Sequence, residues 1–429
     1  MTPSYRHLSH VILTESLHSA QTAWPFNTSL ILSLPLYKPT APQTRLRPFH
    51  PLTFSTSTRH VLLHYVMSAP TTSSQPSDTN ASYSAAYGAL LGAAVGDSCG
   101  SFLEFHRSAI TPQLVDEALT MPGGGVWRIA SGQLTDDTEL ALCLAHGLLE
   151  AATQVTESSS VKYGGLPASC IARWYSKWIA SPPFDCGNTC AASLGHARNF
   201  SAADDVSDLP AAAMTAAAAS RSMGSKANGA LMRLTPLPIC YHRCTDEQLA
   251  RLAATDAQLS HPNPTCQLAN SVYAIAIAAL IQQPHDRQAA LSRSIDYLQQ
   301  CRSLSSVPAE AVDEVECWLR LAAAAGGSGL ADARHEAGYV KHAFTRAFYH
   351  LIHSSSYEAA IRHTLLAGGD TDTNACIVGG LIGAAVGAEA IPAHMTQAVL
   401  QCQPKRERPQ WLFPSQIPEL VHGLYNKLA

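Results

Sequence analysis

Charged residues are scarce in this sequence. Only 14% of its 429 residues are Asp, Glu, Lys or Arg, and the formal net charge is −4. No basic stripe is present that could follow a phosphate backbone, so we predict that nucleic acid is not a partner. A small anionic ligand remains compatible with this charge.

Two charge-free apolar segments are too short to cross a membrane. The charge-free segments 87–95 and 375–388 are both shorter than the roughly 18 to 20 apolar residues that a membrane-spanning helix needs. We therefore predict that both segments are buried helices and that the protein has no membrane partner.

The sequence has no CxxC pair, although it contains 12 cysteines. The spacings of Cys186 and Cys190, and of Cys240 and Cys244, match no common zinc pattern. We expect reduced core cysteines of an intracellular protein instead of a disulfide framework.

Runs of β-branched and aromatic residues are short and scattered, whereas 46% of the chain is hydrophobic and Ala is abundant. This composition predicts an all-α fold: a single globular multi-helix domain over residues 83–429, which we expect to be a monomer. A low-complexity insert at about 202–227 should carry one short helix. Other helices are predicted near 134–152, 171–179, 246–256, 266–281, 287–301, 309–325, 340–354 and 357–367, with one more starting near Thr189.

Residues 1–82 form a predicted N-terminal extension, either disordered or used for targeting. Between residues 1 and 60 the only acid is Glu15, a bias that is typical of organelle transit peptides. Alternatively, translation starts at Met67 and a disordered lead-in follows. The predicted location is therefore cytoplasmic, with mitochondrial or other organellar import as the alternative.

Glycines recur every four residues in two segments: Gly88, Gly92, Gly96 and Gly100 in one, and Gly379, Gly383 and Gly387 in the other. On a helix this spacing makes a smooth stripe that another backbone can approach closely. We predict that the two segments are central helices with the same packing demand.

Two acidic clusters stand far apart in the chain, and each precedes an apolar segment that is predicted to be helical. The first is TDDT at 135–138 and the second is DTDT at 370–373. Their oxygens are hard donors that suit divalent cations. Helix capping explains either cluster alone, but it does not explain why both place several acids before unusually apolar helices.

For the second cluster an EF-hand loop can be rejected, and a phosphatase motif is a third and weaker alternative. An EF-hand loop starting at Asp370 would need Gly at Ala375 and Glu at Leu381. The nucleophile motif of haloacid-dehalogenase-type phosphatases would need a preceding strand near the start of a domain. Here a predicted helix precedes Asp370, and only 59 residues follow it.

Seven ordered segments carry a family resemblance: GALLGAAVGDSCG (88–100) with LEF (103–105), GQLTDDT (132–138), FDCGNT (184–189), NGALMR (228–233), SHP (260–262), GYV (338–340) and GGDTDTN (368–374). In this order they resemble the ADP-ribosylglycohydrolases, which include the dinitrogenase-reductase-activating glycohydrolases and the ADP-ribosyl-acceptor hydrolases.

The resemblance implies a binuclear metal centre between helix N-termini, with two Mg²⁺ ions or Mn²⁺ in their place. The implied metal ligands are Thr135, Asp136, Asp137, Asp370, Asp372 and Thr373. The implied catalytic acids are Glu104, Asp136, Asp137 and Asp185, of which Asp185 would lie near a leaving guanidinium or merely cap a helix. Asp97 would either support a metal ligand or end its helix.

The implied substrate-binding residues are Ser225, Asn228, Gly229, His261 and Tyr339. The turn at Asn228 and Gly229 could cradle phosphate oxygens with backbone N–H groups. Tyr339 could contact adenine or ribose, or could pack at a helix start.

The implied function is hydrolysis of the glycosidic bond between ADP-ribose and a protein side chain, arginine or serine, or a related conjugate. Free ADP-ribose would be released by a two-metal-assisted attack of water. The partner would be an ADP-ribosylated protein or an ADP-ribose conjugate. The alternative is a non-catalytic relative that binds ADP-ribose or serves as a crystallin-like structural protein.

Overall fold

The computed structural model describes residues 79–154, 165–200, 208–327 and 330–427. All of them fall in one compact unit. The predicted extension 1–82 lies outside the described residues except for its last four, which belong to the first helix.

The described ranges contain helices and no strands, so the all-α prediction is confirmed. Two isolated bridges, Gly124 with Ile129 and Ala227 with Tyr339, are the extended pairings found there. The α-helices are α1 (Thr79–Gly100), α2 (Pro112–Leu119), α3 (Asp136–Gln154), α4 (Ala168–Ala180), α5 (Asn188–Leu194), α6 (Leu209–Arg221), α7 (Pro236–Cys240), α8 (Asp246–Gln258), α9 (Pro264–Gln282), α10 (Arg287–Cys301), α11 (Ala309–Ala323), α12 (Val340–His353), α13 (Tyr357–Leu366), α14 (Thr371–Val386), α15 (Ala393–Leu400) and α16 (Ile417–Asn426). Short 3-10 helices occupy Gly195–Phe200, Ala325–Gly327, Ala388–Ala390, Gln410–Leu412 and Pro414–Gln416.

The predicted helices are all found. From the helix near 134–152 to the one near 357–367 the predicted ends move by up to three residues, whereas α1 starts eight residues before the predicted segment 87–95 and α14 starts four residues before the predicted segment 375–388. Four short helices, α2, α7, α15 and α16, were not predicted, because a run of five to ten residues shows little periodicity. Within the segment 202–227, helix α6 buries Met214, Ala217 and Ala218 against its neighbours. Residues 202–207 of that segment lie outside the described part.

Helices α1 and α14 form the centre of the fold. A Cβ atom added at Gly88, Gly92 or Gly96 would overlap the carbonyl oxygen of Gly383, Gly379 or Ala375, respectively. The contacts run in opposite directions along the two helices, so the pair is antiparallel. The C-terminal end of α1 therefore meets the N-terminal end of α14, where the second acidic cluster begins.

Gly387 departs from the predicted stripe. It ends α14 with a φ of +85°, a backbone conformation that glycine adopts without strain. Its role is to terminate the helix, and the close backbone contact is made by Gly379 and Gly383.

Two buried tyrosines on other helices donate hydrogen bonds to backbone carbonyls of α1 and α14. The Tyr357 hydroxyl donates to the Gly92 carbonyl at 2.5 Å, and the Tyr273 hydroxyl donates to the Ile377 carbonyl at 2.7 Å. Tyr273 lies on α9, the one described helix that is long and apolar enough to cross a membrane. Since 89% of that stretch is buried inside the protein, α9 has the surroundings of a core helix.

All twelve cysteines are described, and none forms a disulfide. Cys317 is exposed and Cys186 is half-buried, while the other ten are buried. The predicted core placement is therefore correct for ten of the twelve.

The close helix contact yields a first prediction. Gly383→Ala should lower the free energy of unfolding by at least about 2 kcal/mol, because the new methyl group meets the rigid Gly88 carbonyl and the two backbones must separate. Urea denaturation followed by circular dichroism measures the change.

Gly195→Ala is the matched control. Gly195 has a φ of −56° and a ψ of −28°, and nothing lies within 4 Å of a Cβ added there. This variant should be neutral or slightly more stable. Equal losses at the two positions would contradict the role given to the central contact.

Candidate functional site

The first acidic cluster lies at the start of α3, below the protein surface. Thr135 and Asp137 are fully buried, and Asp136 is 7% exposed. One oxygen of Asp136, Oδ2, accepts a hydrogen bond from the Gly187 N–H at 3.1 Å. The FDCGNT segment is thereby attached to the first cluster.

Asp97 holds the start of α3 in place. Its carboxylate accepts the N–H groups of Thr135 and Thr138 at 3.2 and 3.1 Å, and the Thr135 hydroxyl at 2.7 Å. Helix α1 continues past Asp97 to Gly100, so this residue does not end the helix. Of the two readings of Asp97, support of Thr135 is the one that these hydrogen bonds favour.

The second acidic cluster lies at the start of α14. Asp370 precedes the helix, but its side chain makes no capping hydrogen bond. Its Oδ2 instead accepts the Asn228 side-chain N–H at 2.8 Å. Asp372 and Thr373 are buried within the first turn. Helix capping therefore does not account for Asp370.

Glu104 and Asp185 join these residues from two further segments. Glu104 follows the C-terminal end of α1, and Asp185 lies in the loop before α5. One oxygen each of Glu104, Asp185 and Asp372 can be chosen so that all three lie within 4.8 Å of one another. We call the whole group the acid cluster; its members are Glu104, Asp136, Asp137, Asp185, Asp370 and Asp372.

Burial makes the charged forms of Glu104, Asp136, Asp137, Asp185 and Asp372 unfavourable. It raises the pKa of Asp136 to about 7, that of Glu104 to about 8 and that of Asp185 to about 9, and repulsion from other members of the cluster adds to each shift. Burial also raises the pKa of Asp137 and of Asp372 well above the usual range. A bound cation would oppose both causes.

The donor set fits a hard divalent cation. Carboxylate and hydroxyl oxygens converge from the starts of α3 and α14, and Oδ1 of Asp137 is buried with no hydrogen-bond partner among the described residues. A buried carboxylate oxygen without a donor is costly unless something positive lies against it. This orphaned oxygen is the observation that favours a metal there.

The turn predicted to hold phosphate lies beside the acid cluster. The Asn228 N–H donates to the Gly338 carbonyl at 3.0 Å, so it is already committed. The Ser225 hydroxyl lies 2.9 Å from that of Thr189, at the start of α5. The predicted residues Ser225, Asn228 and Gly229 thus adjoin the FDCGNT segment and Asp370.

His261 lies beneath this turn. It is fully buried, its Nδ1 is 2.8 Å from the Ser260 hydroxyl, and a Cβ added to Gly229 would lie 3.0 Å from its ring. Burial and the neighbouring Arg233 lower the pKa of His261 to about 3, so the ring is neutral. In this structure His261 supports the turn from below.

Tyr339 is half-buried at the start of α12. Its hydroxyl donates to Glu314 at 2.7 Å, and its ring contacts Trp318 edge to face at 5.9 Å. The backbone of Tyr339 pairs with Ala227, next to the turn. These contacts favour the packing role that was predicted for Tyr339. A ligand could contact this residue only through the face of its ring.

A sequence profile of the ADP-ribosylglycohydrolase family matches residues 78–428. The chain belongs to this family. The resemblance carried by the seven segments is thereby confirmed, and it extends beyond them at both ends.

Curated relatives agree with the profile. The chain is 28% identical to a protein of Acanthamoeba polyphaga mimivirus named as an ADP-ribosyl glycohydrolase, over 72% of this chain and 88% of the relative. It is 25% identical to the ADP-ribosyl-[dinitrogen reductase] glycohydrolase of Rhodospirillum rubrum, over 69% and 84%. It is 27% identical to an ADP-ribosylarginine hydrolase of Pseudomonas putida, over 77% and 79%.

A solved structure shares the fold. It is described as an ADP-ribosylglycohydrolase-related protein complex, and it aligns with a TM-score of 0.57 over 82% of this chain and 100% of its own. At 24% sequence identity this match supports the helical fold alone. Family membership and the curated relatives support hydrolysis of ADP-ribosyl linkages as the activity.

The structure contains a buried ion pair that no sequence pattern predicts. Arg408 donates two hydrogen bonds of 2.7 Å to the buried Glu139, on α3, and a third to the Ser181 carbonyl at 2.7 Å. Arg408 thus ties α3 to the loop that leads to Asp185. Its partners are more than 220 residues away in sequence, so no local pattern could identify them.

The raised pKa values predict how stability changes with pH. Between about pH 6.5 and 8 the folded metal-free protein keeps protons on Asp136, Glu104 and Asp185, whereas the unfolded chain has lost them. Its free energy of unfolding should therefore fall by at least about 1 kcal/mol as the pH rises through this range. Buried histidines such as His350, with a pKa lowered to about 3, oppose this trend only below about pH 6.5. Urea denaturation in EDTA measures the change.

Saturating Mg²⁺ or Mn²⁺ should flatten this pH dependence, because a cation stabilises the ionised acids. Glu104→Gln should reduce the slope in EDTA, whereas Glu117→Gln, at an exposed position on α2, should leave it unchanged. A stability that rises with pH in EDTA would contradict the electrostatics described above.

Proposed function

We propose that the protein hydrolyses the glycosidic bond between ADP-ribose and an arginine side chain of a modified protein, releasing ADP-ribose. One observation carries the proposal: four separate segments bring six carboxylates together beside a glycine-containing turn. The acids suit the sugar end of ADP-ribose, and the turn suits its diphosphate.

The proposed metal ligands are the two acidic clusters. Thr135, Asp136 and Asp137 would hold ions from the α3 side, and Asp370, Asp372 and Thr373 would hold them from the α14 side. Two Mg²⁺ or Mn²⁺ ions there would supply positive charge and Lewis acidity at the ribose hydroxyls and the attacking water.

The diphosphate would lie on the turn at Asn228 and Gly229. Because the Asn228 N–H is bound to Gly338, a phosphate would use the N–H groups of Gly229 or Ala230. The Asn228 side chain donates to Asp370, so the turn and the acid cluster are directly linked. This link would fix the distance between the diphosphate and the sugar.

Glu104 and Asp185 are the proposed reacting acids. Cleavage at the anomeric carbon builds positive charge on the sugar, which nearby carboxylates stabilise. A carboxyl with a pKa near 8, such as Glu104, can exchange a proton with water or with the leaving group near neutral pH. Asp185 lies in the loop before α5 and would face the leaving group.

Arginine is the acceptor that we propose first. A guanidinium leaving group would pair with the carboxylate of Asp185, whereas a serine hydroxyl would gain nothing from that charge. One of the relatives is named as an ADP-ribosylarginine hydrolase, which supports the same choice.

The test is a side-by-side assay of the purified protein on peptides that carry ADP-ribose on arginine or on serine. With Mg²⁺ or with Mn²⁺ we expect free ADP-ribose from the arginine-linked peptide, and EDTA should abolish its release. Chromatography of the released nucleotide measures the rate.

Asp370→Ala should lower that rate at least about 100-fold, because it removes a proposed ligand and the partner of Asn228. Asp313→Asn, an exposed acid paired with Arg302, should leave it unchanged. If ADP-ribose binds and no bond is cleaved, the protein is a binding relative. If the metal-loaded protein binds no ADP-ribose, the proposed function is wrong.

A further inference from the structure

Trp127 lies in a tight loop that is pressed against the end of α1. Gly124 and Ile129 exchange both backbone hydrogen bonds, at 2.9 and 3.0 Å, and close the loop. A Cβ added to Gly125, which has a φ of +63°, would overlap the Ser101 carbonyl. The loop therefore packs closely on the segment that leads to Glu104.

The indole N–H of Trp127 donates to Oε2 of Glu104 at 2.6 Å. Glu104 is 5% exposed, so little water competes for this hydrogen bond. A hydrogen bond to a carboxylate is stronger than one between neutral groups. It holds one oxygen of Glu104 toward the loop and limits rotation of the whole carboxylate.

The ring of Trp127 also contacts the segment that carries Asp185. Its centroid lies 6.1 Å from that of Phe184, which directly precedes Asp185. On Phe184 the guanidinium of Arg406 lies 5.4 Å from the ring centroid. Trp127 thus touches both segments that bring the proposed reacting acids to the cluster.

We propose that Trp127 is a positioning residue, which fixes the carboxylate of Glu104 relative to Asp185 through its indole N–H. Glu104, Asp185 and Asp372 repel one another when ionised, so a side chain as flexible as Glu104 needs an attractive partner to stay among them. Trp127 supplies that partner from a loop that is itself held by backbone contacts. This inference rests on the proposed hydrolysis.

Trp127→Phe tests the inference, because phenylalanine keeps an aromatic ring against Phe184 and lacks the N–H. We expect kcat on the arginine-linked substrate to fall about 10- to 100-fold, while KM changes less than about 3-fold, since the substrate-binding turn is untouched. A purely structural role of Trp127 would not separate kcat from KM in this way.

The matched control is Trp174→Phe. Trp174, on α4, makes the same kind of hydrogen bond, from its indole N–H to Oε2 of Glu150 at 2.6 Å, outside the acid cluster. Removing this N–H should leave kcat unchanged. A comparable loss of kcat in both variants would overturn the inference.

A double-mutant cycle with Glu104→Gln identifies the route of the effect. If Trp127 acts through Glu104, adding Trp127→Phe to Glu104→Gln should lower kcat less than about 2-fold further. A full additional loss would overturn the inference, and so would an unaltered kcat in Trp127→Phe alone. Absence of hydrolysis by the unmodified protein would instead refute the proposed function itself.

If Trp127→Phe does not fold, β-(3-benzothienyl)alanine at position 127 provides a second variant. This amino acid keeps the shape of the bicyclic ring and replaces only the N–H by sulfur. The same fall in kcat is expected, and activity equal to that of the unmodified protein would overturn the inference.

Discussion

The contact between α1 and α14 is the constraint on which the acid cluster depends. Backbones that approach so closely leave no room for a side chain at Gly92 or Gly383, so the two helices cannot slide or rotate without a clash. This fixes where the end of α1 meets the start of α14. The Thr371 hydroxyl donates to the Gly100 carbonyl at 2.7 Å across that junction. This helix pair therefore sets the distance between two groups of acids. Asp97 and Glu104 lie on the α1 side, and the second acidic cluster lies on the α14 side.

Acids that are paired with an arginine in the core differ from those of the acid cluster, and the difference marks the site. Glu139 and Asp256 are buried beside Arg408 and Arg233, which donate directly to their carboxylates. Such pairs satisfy both charges. The acids of the acid cluster receive hydrogen bonds from backbone, amide and indole N–H groups, and no ion pair to them is found among the described residues. These neutral N–H groups orient the carboxylates but do not neutralise their negative charge, which a bound cation would do.

Local sequence patterns predicted the helices, and they also predicted that both acidic clusters stand at helix starts, because periodicity and helix-start residues act over a few positions. The glycine spacing also predicted a close backbone contact, although Gly387 turned out to end α14. The supports of the site could not be predicted in this way. Three hydrogen-bonded pairs exist only after separate segments have packed: Asp97 with Thr135, Trp127 with Glu104, and Arg408 with Glu139. The contact between His261 and Gly229 also forms only when distant segments pack. The sequence around Ser260 does not indicate which turn will cover the His261 ring.

The separation of the central pair in sequence has a consequence for synthesis on the ribosome. Gly100 and Thr371 are 271 positions apart, so α1 leaves the exit tunnel long before its partner has been translated. During that interval the glycine face of α1 that will contact α14 has no native surface to cover it. The acid cluster can therefore assemble only near the end of translation, after α14 has been made. Contacts of such long range also make folding slow, which lengthens the time during which a chaperone can bind that face.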